Sequence, residues 1–295
     1  MRITGNRMID LAVQATLNDQ SAVASASQAV SSGLRVSEPS DDPSAWIAAQ
    51  RAKLHQTLSQ GITTAMQASQ NQLQATDGAL SSIGTIVSQV RALAVQGASA
   101  TYNASQRAEL ATEVTGLFQS ALGAANAQGP SGEYLLAGSD SLTQPFDSTG
   151  AYQGDSAARS VSISEATTTQ VTVAGSALTA ADGVDVLPLL AKVASALSSN
   201  DTTALAQTLP DLDTAVTQVA AARGQLGGAM DVLSDATSSN GTLQTDLAQT
   251  ISNYVEVDTV TAASDLAKAS QALQVSQTVS ANVIQLLGNQ PTTTG

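Results

Sequence analysis

The stretch from Ser31 to Pro43, SSGLRVSEPSDDP, interrupts a helical pattern and decides how the N-terminal part of the chain folds. Gly33 and Pro39 both disfavour continuation of a helix through this stretch. The step from Asp42 to Pro43 predicts the start of a new helix, because Asp is a favoured N-cap residue and Pro is favoured at the first helical position. We therefore expect one helix to end near Ser31 and another to begin at Pro43.

The helix expected before this break carries a seven-residue repeat. Its steps alternate between four and three residues, which is the a/d spacing of a coiled-coil seam. Three of its members are polar, so the seam is too weakly apolar to hold an isolated helix, and the helix needs a partner. The predicted seam consists of Ile9, Val13, Thr16, Gln20, Val23, Ser27, Val30 and Leu34.

A second weak seam lies at the other end of the chain. It predicts a helix over residues 257–287, which at about 1.5 Å per residue would be roughly 45 Å long. Because neither terminal helix can be stable alone, we expect the two ends to return and pair with each other. The C-terminal seam consists of Ala262, Leu266, Ala269, Leu273, Ser276, Ser280, Val283 and Leu287.

Longer helical patterns follow the break. A helix is predicted over residues 43–96, with a strongly apolar seam from Ile62 to Ala94 and an end near Gly97. A third helix is expected after Asn103, which is placed as an N-cap.

Helical patterning returns in the second half of the chain, over residues 186–197 and again from Asp201 onward. Pro210 is expected to interrupt or kink the second of these helices, because proline lacks the backbone N–H that the helix needs.

The helical period disappears over residues 131–178, where turn residues are frequent. Three stretches of this region are β-prone, residues 133–137, 159–163 and 169–173, and the last two alternate polar and apolar residues as half-buried strands do. We expect a small β-rich insertion here.

The predicted fold class is mainly α: an elongated antiparallel helical bundle formed by N- and C-terminal segments, with a small β-rich inserted domain. Aromatic residues make up only 2 % of the chain, which favours a thin bundle over a round core. We expect three parts: terminal coiled-coil helices forming an inner layer (1–42 and 255–295), a long-helix bundle (43–130 and 179–254), and the β-rich domain (131–178).

The composition limits the possible classes of function. Acidic residues outnumber basic ones by 24 to 11, and the net charge is −13, which argues against a nucleic-acid partner because phosphate binding needs clustered Lys and Arg. The absence of cysteine excludes disulfides and thiolate chemistry. Residues 1–13 lack the apolar run of a secretory signal, and no stretch is expected to span a membrane. We therefore expect no membrane partner, and any export would use another route.

No set of residues predicts catalysis, a cofactor or a metal site. His55 is the only histidine, so a catalytic triad or a histidine metal site has little to build on. The acids within residues 131–178 are spread over separate turns, which disfavours the alternative of a secreted metal-dependent hydrolase. The paired acids Asp41 and Asp42, Asp182 and Asp185, and Asp211 and Asp213 are expected at helix starts, where negative charge is favoured.

Several motifs resemble a known family. The segments Ser32-Gly33-Leu34-Arg35-Val36 and Pro39-Ser40-Asp41-Asp42-Pro43 resemble the N-terminal signature of bacterial flagellins and hook-associated proteins. The opening Met1-Arg2-Ile3-Thr4, the prolines around the Asp pair and Tyr152-Gln153-Gly154-Asp155 are more similar to the hook–filament junction branch than to flagellin. The tail from Asn289 to Gly295 departs from the family pattern, because family members commonly stop near the Leu286-Leu287 pair.

The resemblance implies a structural subunit of the bacterial flagellum and not an enzyme. Such a subunit would be exported unfolded through the flagellar type III apparatus and act outside the cell as an adaptor at the hook–filament junction. Implied partners are copies of itself in a ring, hook-associated protein 1, flagellin and a flagellar export chaperone. The alternative within the family is a flagellin, the filament subunit.

The expected functional residues follow from the seams and from the resemblance. The family signature comprises Arg35, Asp41, Asp42 and Pro43. The seams predict a subunit interface made by Ile9, Val13, Val23, Val30, Leu34, Leu266, Leu273, Val283 and Leu287. If neighbouring copies complete these seams, the segments of about 1–40 and 257–295 should be disordered in the free chain and helical once assembled.

Overall fold

The computed structural model describes the backbone of residues 2–288 and the side chains of residues 7–286. Within that range the chain is mainly α, with one small sheet. The helices are α1 (Arg2–Ser32), α2 (Pro43–Ala98), α3 (Ala104–Ala125), α4 (Val186–Ser198), α5 (Thr202–Val255) and α6 (Thr259–Gly288). The strands are β1 (Ser160–Ser162) and β2 (Thr168–Gln170).

Contacts divide the chain into two compact units. The terminal unit comprises residues 1–57 and 244–295, and the central unit comprises residues 58–243. The terminal unit therefore contains α1, α6, the beginning of α2 and the end of α5.

In the terminal unit, α1 and α6 pair along their lengths in antiparallel orientation. The Thr16 hydroxyl lies 3.2 Å from the Ser276 hydroxyl and 3.0 Å from the Ser280 hydroxyl. Near the other end of the pair, the N–H of Val257 donates to the carbonyl of Gly33 at 3.0 Å. The pairing of the two ends agrees with the expectation from their weak seams.

The faces that α1 and α6 turn toward each other agree only partly with the predicted seams. In α6, every predicted seam position with a described side chain is half-buried or buried. In α1 only Ile9, Thr16 and Val23 of the predicted seam are half-buried, and five of its eight positions are exposed in the single chain: Val13, Gln20, Ser27, Val30 and Leu34. The half-buried stripe of α1 consists of Ile9, Ala12, Thr16, Asp19, Val23, Ala26 and Ala29. The alanines of this stripe let the two helices approach closely, and the larger Val13 and Val30 therefore lie outside the contact.

The central unit is built on α2 and α5, which run antiparallel. The Arg223 guanidinium pairs with Asp77 at 2.8 Å, and Arg91 pairs with Asp213 farther along α2 and earlier in α5. Helix α3 packs against α4. The fully buried core side chains include Met66, Leu73, Leu80, Ile83, Leu136, Phe146, Leu178, Leu187, Leu190, Leu197, Leu205 and Leu212.

Helix α5 continues through Pro210, so the expectation that this residue interrupts the helix is wrong. Asp211 and Asp213 consequently lie inside the helix and not at its start. Gly97 also lies inside a helix, since α2 ends at Ala98. A Cβ atom at Gly97 would lie 2.3 Å from Leu197 Cδ2, so close packing explains this glycine.

The region expected to be β-rich contains β1 and β2, which pair antiparallel with Val161 opposite Thr169. These strands overlap two of the three predicted stretches. The third, residues 133–137, forms turns and only one isolated β-bridge, between Tyr134 and Gln128. There the Leu136 carbonyl accepts hydrogen bonds from the Gly175 N–H and the Tyr152 hydroxyl. Leu136 and Phe146 are buried in the same hydrophobic core as the helices.

One window of α2 is more apolar than the sequence patterns indicated. Eighteen residues reach a mean hydropathy of 1.3, which by length and composition alone is enough to cross a membrane. Of that window, 39 % is buried inside the protein, and core helices of folded proteins pass the same test.

Candidate assembly surface

The family-signature residues form a compact junction at the base of the α1–α6 pair. The Arg35 guanidinium donates to the Tyr254 carbonyl at 2.8 Å and reaches Asp42 Oδ2 at 3.4 Å. The backbone N–H of Arg35 donates to the Val255 carbonyl at 2.7 Å. Gly33 has a φ of +71°, a conformation that favours glycine and turns the chain out of α1. Arg35 thus ties the loop after α1 to the end of α5.

Asp42 caps α2, as the sequence predicts. Its Oδ1 accepts the N–H groups of Ser44 and Ala45 at 3.1 and 3.0 Å and the Ser44 hydroxyl at 2.7 Å. Pro43 is the first residue of the helix. The hydrogen bond from the Ala45 N–H, followed by that from the Ser44 hydroxyl, lowers the pKa of Asp42 to about 2, and Arg35 contributes to the shift.

Asp41 closes the loop that precedes the helix. Its Oδ2 accepts the N–H groups of Glu38 and Ser37, both at 2.9 Å. These backbone hydrogen bonds, with that from Glu38 the larger, hold the pKa of the Asp41 carboxyl below its usual value. The two signature acids therefore act as structural caps in this chain.

A small hydrophobic cluster lies beneath this junction. Val36, Ala45, Ala49 and Val255 are buried in it, and Trp46 and Ile251 pack against it. The cluster therefore joins the loop after α1, the start of α2 and the end of α5. At the base of the α1–α6 pair, the cluster supplies fully buried apolar side chains, which the described part of α1 does not contain.

The α1–α6 pair leaves much of its apolar surface in solvent. No side chain from Arg7 to Arg35 is fully buried, and within the described part of α6 only Ala262 is. Leu11 is 62 % exposed and Leu286 is 72 % exposed. The other exposed large apolar side chains of the two helices are Met8, Val13, Leu17, Val30, Val260, Val275, Val279 and Ile284.

One face of the pair forms an open groove of about 560 Å³. Its walls are mostly alanine, serine and valine, so another helix could approach closely. The lining residues are Ala12, Ala15, Asp19, Lys268, Gln271, Ala272, Val275, Ser276, Val279 and Ser280.

The structure divides the predicted interface residues into two sets. Half-buried side chains within the α1–α6 pair are Ile9, Val23, Leu266, Leu273 and Val283. Val13, Val30 and Leu34 are exposed at 47, 42 and 37 %. Leu287 belongs to α6, but its side chain lies outside those described, as does the whole tail from Asn289 to Gly295.

Sequence reasoning missed the apolar residues that flank the seams. Leu11, Leu17, Val275 and Val279 lie outside a single a/d repeat, so a search for one seam passes over them. A second apolar row beside the first would have drawn attention to these side chains.

Acidic side chains of the described residues form no group of three metal ligands. Several acids expected on separate turns instead stabilise the turns around them. Glu133 pairs with Arg159 at 2.7 Å, Asp147 accepts the N–H of Thr149 at 2.8 Å, and Asp155 accepts hydrogen bonds from Ser139. These contacts give the acids of this region local structural roles.

Comparison with known proteins gives two family matches. The bacterial flagellin N-terminal helical region matches residues 5–141, and the bacterial flagellin C-terminal helical region matches residues 209–287. The two matches include most of α1, nearly all of α6 and the signature loop.

The chain is also similar to flagellar hook-associated protein 3 of Salmonella typhimurium, at 29 % identity over 157 residues, and of Escherichia coli, at 30 % over 157 residues. Each match covers 52 % of this chain and 49 % of the relative, so the chain spans about half the length of these curated relatives. Its fold is similar to that of FlgL from Xanthomonas campestris, with a TM-score of 0.60 and 18 % identity over 69 % of this chain and 99 % of that structure.

Proposed function

We propose that this chain, which belongs to the bacterial flagellin family, is a structural subunit of the flagellum that serves as an adaptor at the hook–filament junction. Its role would be to bind neighbouring subunits through α1 and α6. The relatives named hook-associated protein 3 support this choice over the filament subunit. The role is structural and not catalytic.

The single observation that carries the proposal is the incomplete burial of the terminal helices. Side chains from Arg7 to Arg35 reach at most half-burial, although this segment contains many apolar residues. An isolated helix pair with so little buried surface is marginally stable in water. Contacts with neighbouring subunits would supply the missing burial, so assembly and ordering of the helices would occur together.

The proposed surface has two layers. Ile9, Val23, Leu266, Leu273 and Val283 would hold α1 against α6 within one chain, and Leu287 stays a predicted interface residue. Val13, Val30 and Leu34, together with the exposed apolar residues beside them, would contact neighbours. The signature residues Arg35, Asp41, Asp42 and Pro43 would hold the base of the pair against the start of α2 and the end of α5.

The proposed partners are further copies of the chain in a ring, hook-associated protein 1 on the hook side and flagellin on the filament side. A flagellar export chaperone would hold the terminal segments before export. The protein would act outside the cell as part of the flagellum. In the assembly, the terminal helices (1–42 and 255–295) would form the inner layer, with the long-helix bundle and residues 131–178 farther out.

Deletion of the gene tests the proposal. Cells without the chain should retain intact hooks, lack attached filaments and release flagellin into the medium. Re-expression of the full chain should restore attached filaments. Normal filaments in the deletion strain would contradict the junction role.

The alternative of a filament subunit makes a different prediction. A flagellin should polymerise into long filaments when purified and seeded, whereas a junction adaptor should not. Extended filaments formed by this chain alone would favour the alternative.

A further inference from the structure

The groove on the α1–α6 pair carries one negative and one positive side chain. Of the described residues that line it, Asp19 and Lys268 alone are charged. Asp19 is the only charged residue between Leu11 and Leu34, and Lys268 is the last charged residue in the chain. Two charges of opposite sign therefore line one groove, and long neutral stretches of sequence lie on both sides of Asp19 and after Lys268.

Asp19 lies in the half-buried stripe of α1 that faces α6. Among the described side chains it has no hydrogen-bond or ion-pair partner, although a carboxylate at a partly buried position gains from one. Lys268 also lines the groove but pairs with Asp265 at 3.2 Å. Both members of that pair are exposed, at 73 and 58 %, so the pair contributes little and Lys268 can leave it.

We propose that a second copy of this chain occupies the groove and that Asp19 of one copy pairs with Lys268 of the next. This inference rests on the proposed function, because it assumes assembly through α1 and α6. A groove with one acid and one base is complementary in charge to the same groove on another copy. When the grooves of two copies face each other, each Asp19 meets the Lys268 of the other copy within one contact.

The pair would set the register between copies. Neutral helices lined by alanine, serine and valine can slide along each other with little change in packing, whereas a charge pair favours one alignment. Charges of like sign brought together at this point would oppose assembly. Asp19 and Lys268 thus act as specificity determinants on an otherwise permissive surface.

Charge reversal followed by mixing tests the pair. The variants Asp19→Lys and Lys268→Asp would be expressed in the deletion strain, singly, together from separate genes, and as the double substitution in one chain. Each single variant should release about tenfold more flagellin than the wild type, because like charges then meet at the contact. Co-expression should restore attached filaments, because opposite charges then meet wherever an Asp19→Lys copy and a Lys268→Asp copy are neighbours.

The mixture separates pairing between copies from pairing within one chain. If Asp19 and Lys268 paired within one chain, the double substitution would restore filaments and the mixture would not, which would overturn the proposal. Single variants that retain filaments like the wild type would also overturn it. Asp10→Lys is the matched control, since Asp10 is exposed on the same helix and does not line the groove. Every variant must be detected outside the cell, which excludes a failure of export.

A cross-linking measurement decides the inference even if the junction role fails. The chain has no cysteine, so Asp19→Cys and Lys268→Cys can each introduce the only thiol of a purified full-length variant. A short bis-maleimide should join the two variants in a concentrated mixture and give far less dimer with either variant alone. Equal dimer from a single variant and from the mixture would contradict the pairing, whatever the deletion strain does.

Discussion

At the scale of single residues, the signature acids stabilise the chain through hydrogen bonds that they accept while ionised. Asp42 accepts two backbone N–H groups and a hydroxyl at the start of α2, and Arg35 lies beside it. Arg35 in turn holds the Tyr254 carbonyl. The motif therefore fixes a three-way junction between the loop, α2 and the end of α5.

This arrangement makes the stability of the junction depend on pH in acid. The pKa of Asp42 is lowered from 3.8 to about 2 in the folded chain. A lowered pKa means that the contribution of Asp42 is fully present above about pH 4 and is lost as the pH falls through 2. The asparagine of Asp42→Asn cannot take up a proton in this range. Between about pH 4 and 2 the free energy of unfolding should therefore fall less for Asp42→Asn than for the wild type.

Trp46 offers a local measurement of this effect. It is the only tryptophan and packs on the small cluster beneath Asp42. Its fluorescence during thermal unfolding, recorded at several acid pH values, would compare the wild type with Asp42→Asn. Asp246→Asn, on the exposed surface of α5, serves as the control. An identical acid dependence for the wild type and Asp42→Asn would contradict the assigned role.

At the scale of elements, the end of α2 depends on a buried guanidinium. Arg107, on α3, is 7 % exposed. It donates to the Gly97 carbonyl at 2.6 Å, the Ser99 carbonyl at 2.9 Å and Asn200 Oδ1 at 2.7 Å. These bonds satisfy carbonyls that the helix end leaves without partners. Arg107 thereby joins α2, α3 and the turn before α5.

Arg107→Met should lower the free energy of unfolding by about 2–3 kcal/mol, because it leaves several acceptors without donors. Arg91→Met is the matched control. Arg91 also bonds an acceptor on another element, Asp213, but both side chains are largely exposed, so the loss should be about 0–1 kcal/mol. Denaturant titrations followed by far-UV circular dichroism would measure both. Equal losses for the two variants would contradict the capping role of Arg107.

The helices were predictable from sequence because strong local signals bound them. Gly33, Asp42-Pro43 and Asn103 each act within one turn of a helix end, and their effect does not depend on distant residues. The face that α1 presents to α6 was predicted only in part, since small residues such as Ala12 fill the close helix contact in place of the larger Val13. The turns at residues 133–137 escaped prediction because tertiary contacts, such as the burial of Leu136 in the central core, override local preference there. Nothing in the structure explains why α5 continues through Pro210.

At the scale of the whole molecule, the two units differ in how they bury apolar surface. The central unit contains a core with many fully buried leucine side chains, such as Leu190 and Leu212. The terminal helices have half-buried seams and exposed apolar rows on their other faces. We therefore expect the central unit to be stable alone and the terminal helices to gain most of their stability from neighbours.

Only part of the assembly surface could be predicted from the sequence. The weak seams indicated that α1 and α6 need partners, and the α6 face was placed correctly at Leu266, Leu273 and Val283. The groove depends on how the two helices lie side by side. The sequence alone therefore could not show that Asp19 and Lys268 line the same groove.

The central claim is that α1 and α6 are incomplete in one chain and are completed by neighbouring subunits. Amide hydrogen exchange on the free full-length chain tests it most directly. The amides of Val23 and Leu273 should exchange at least about a hundredfold faster than that of Val219 in the core of the central unit, and should slow on assembly. Protection of Val23 and Leu273 as strong as that of Val219 in the free chain would contradict the claim.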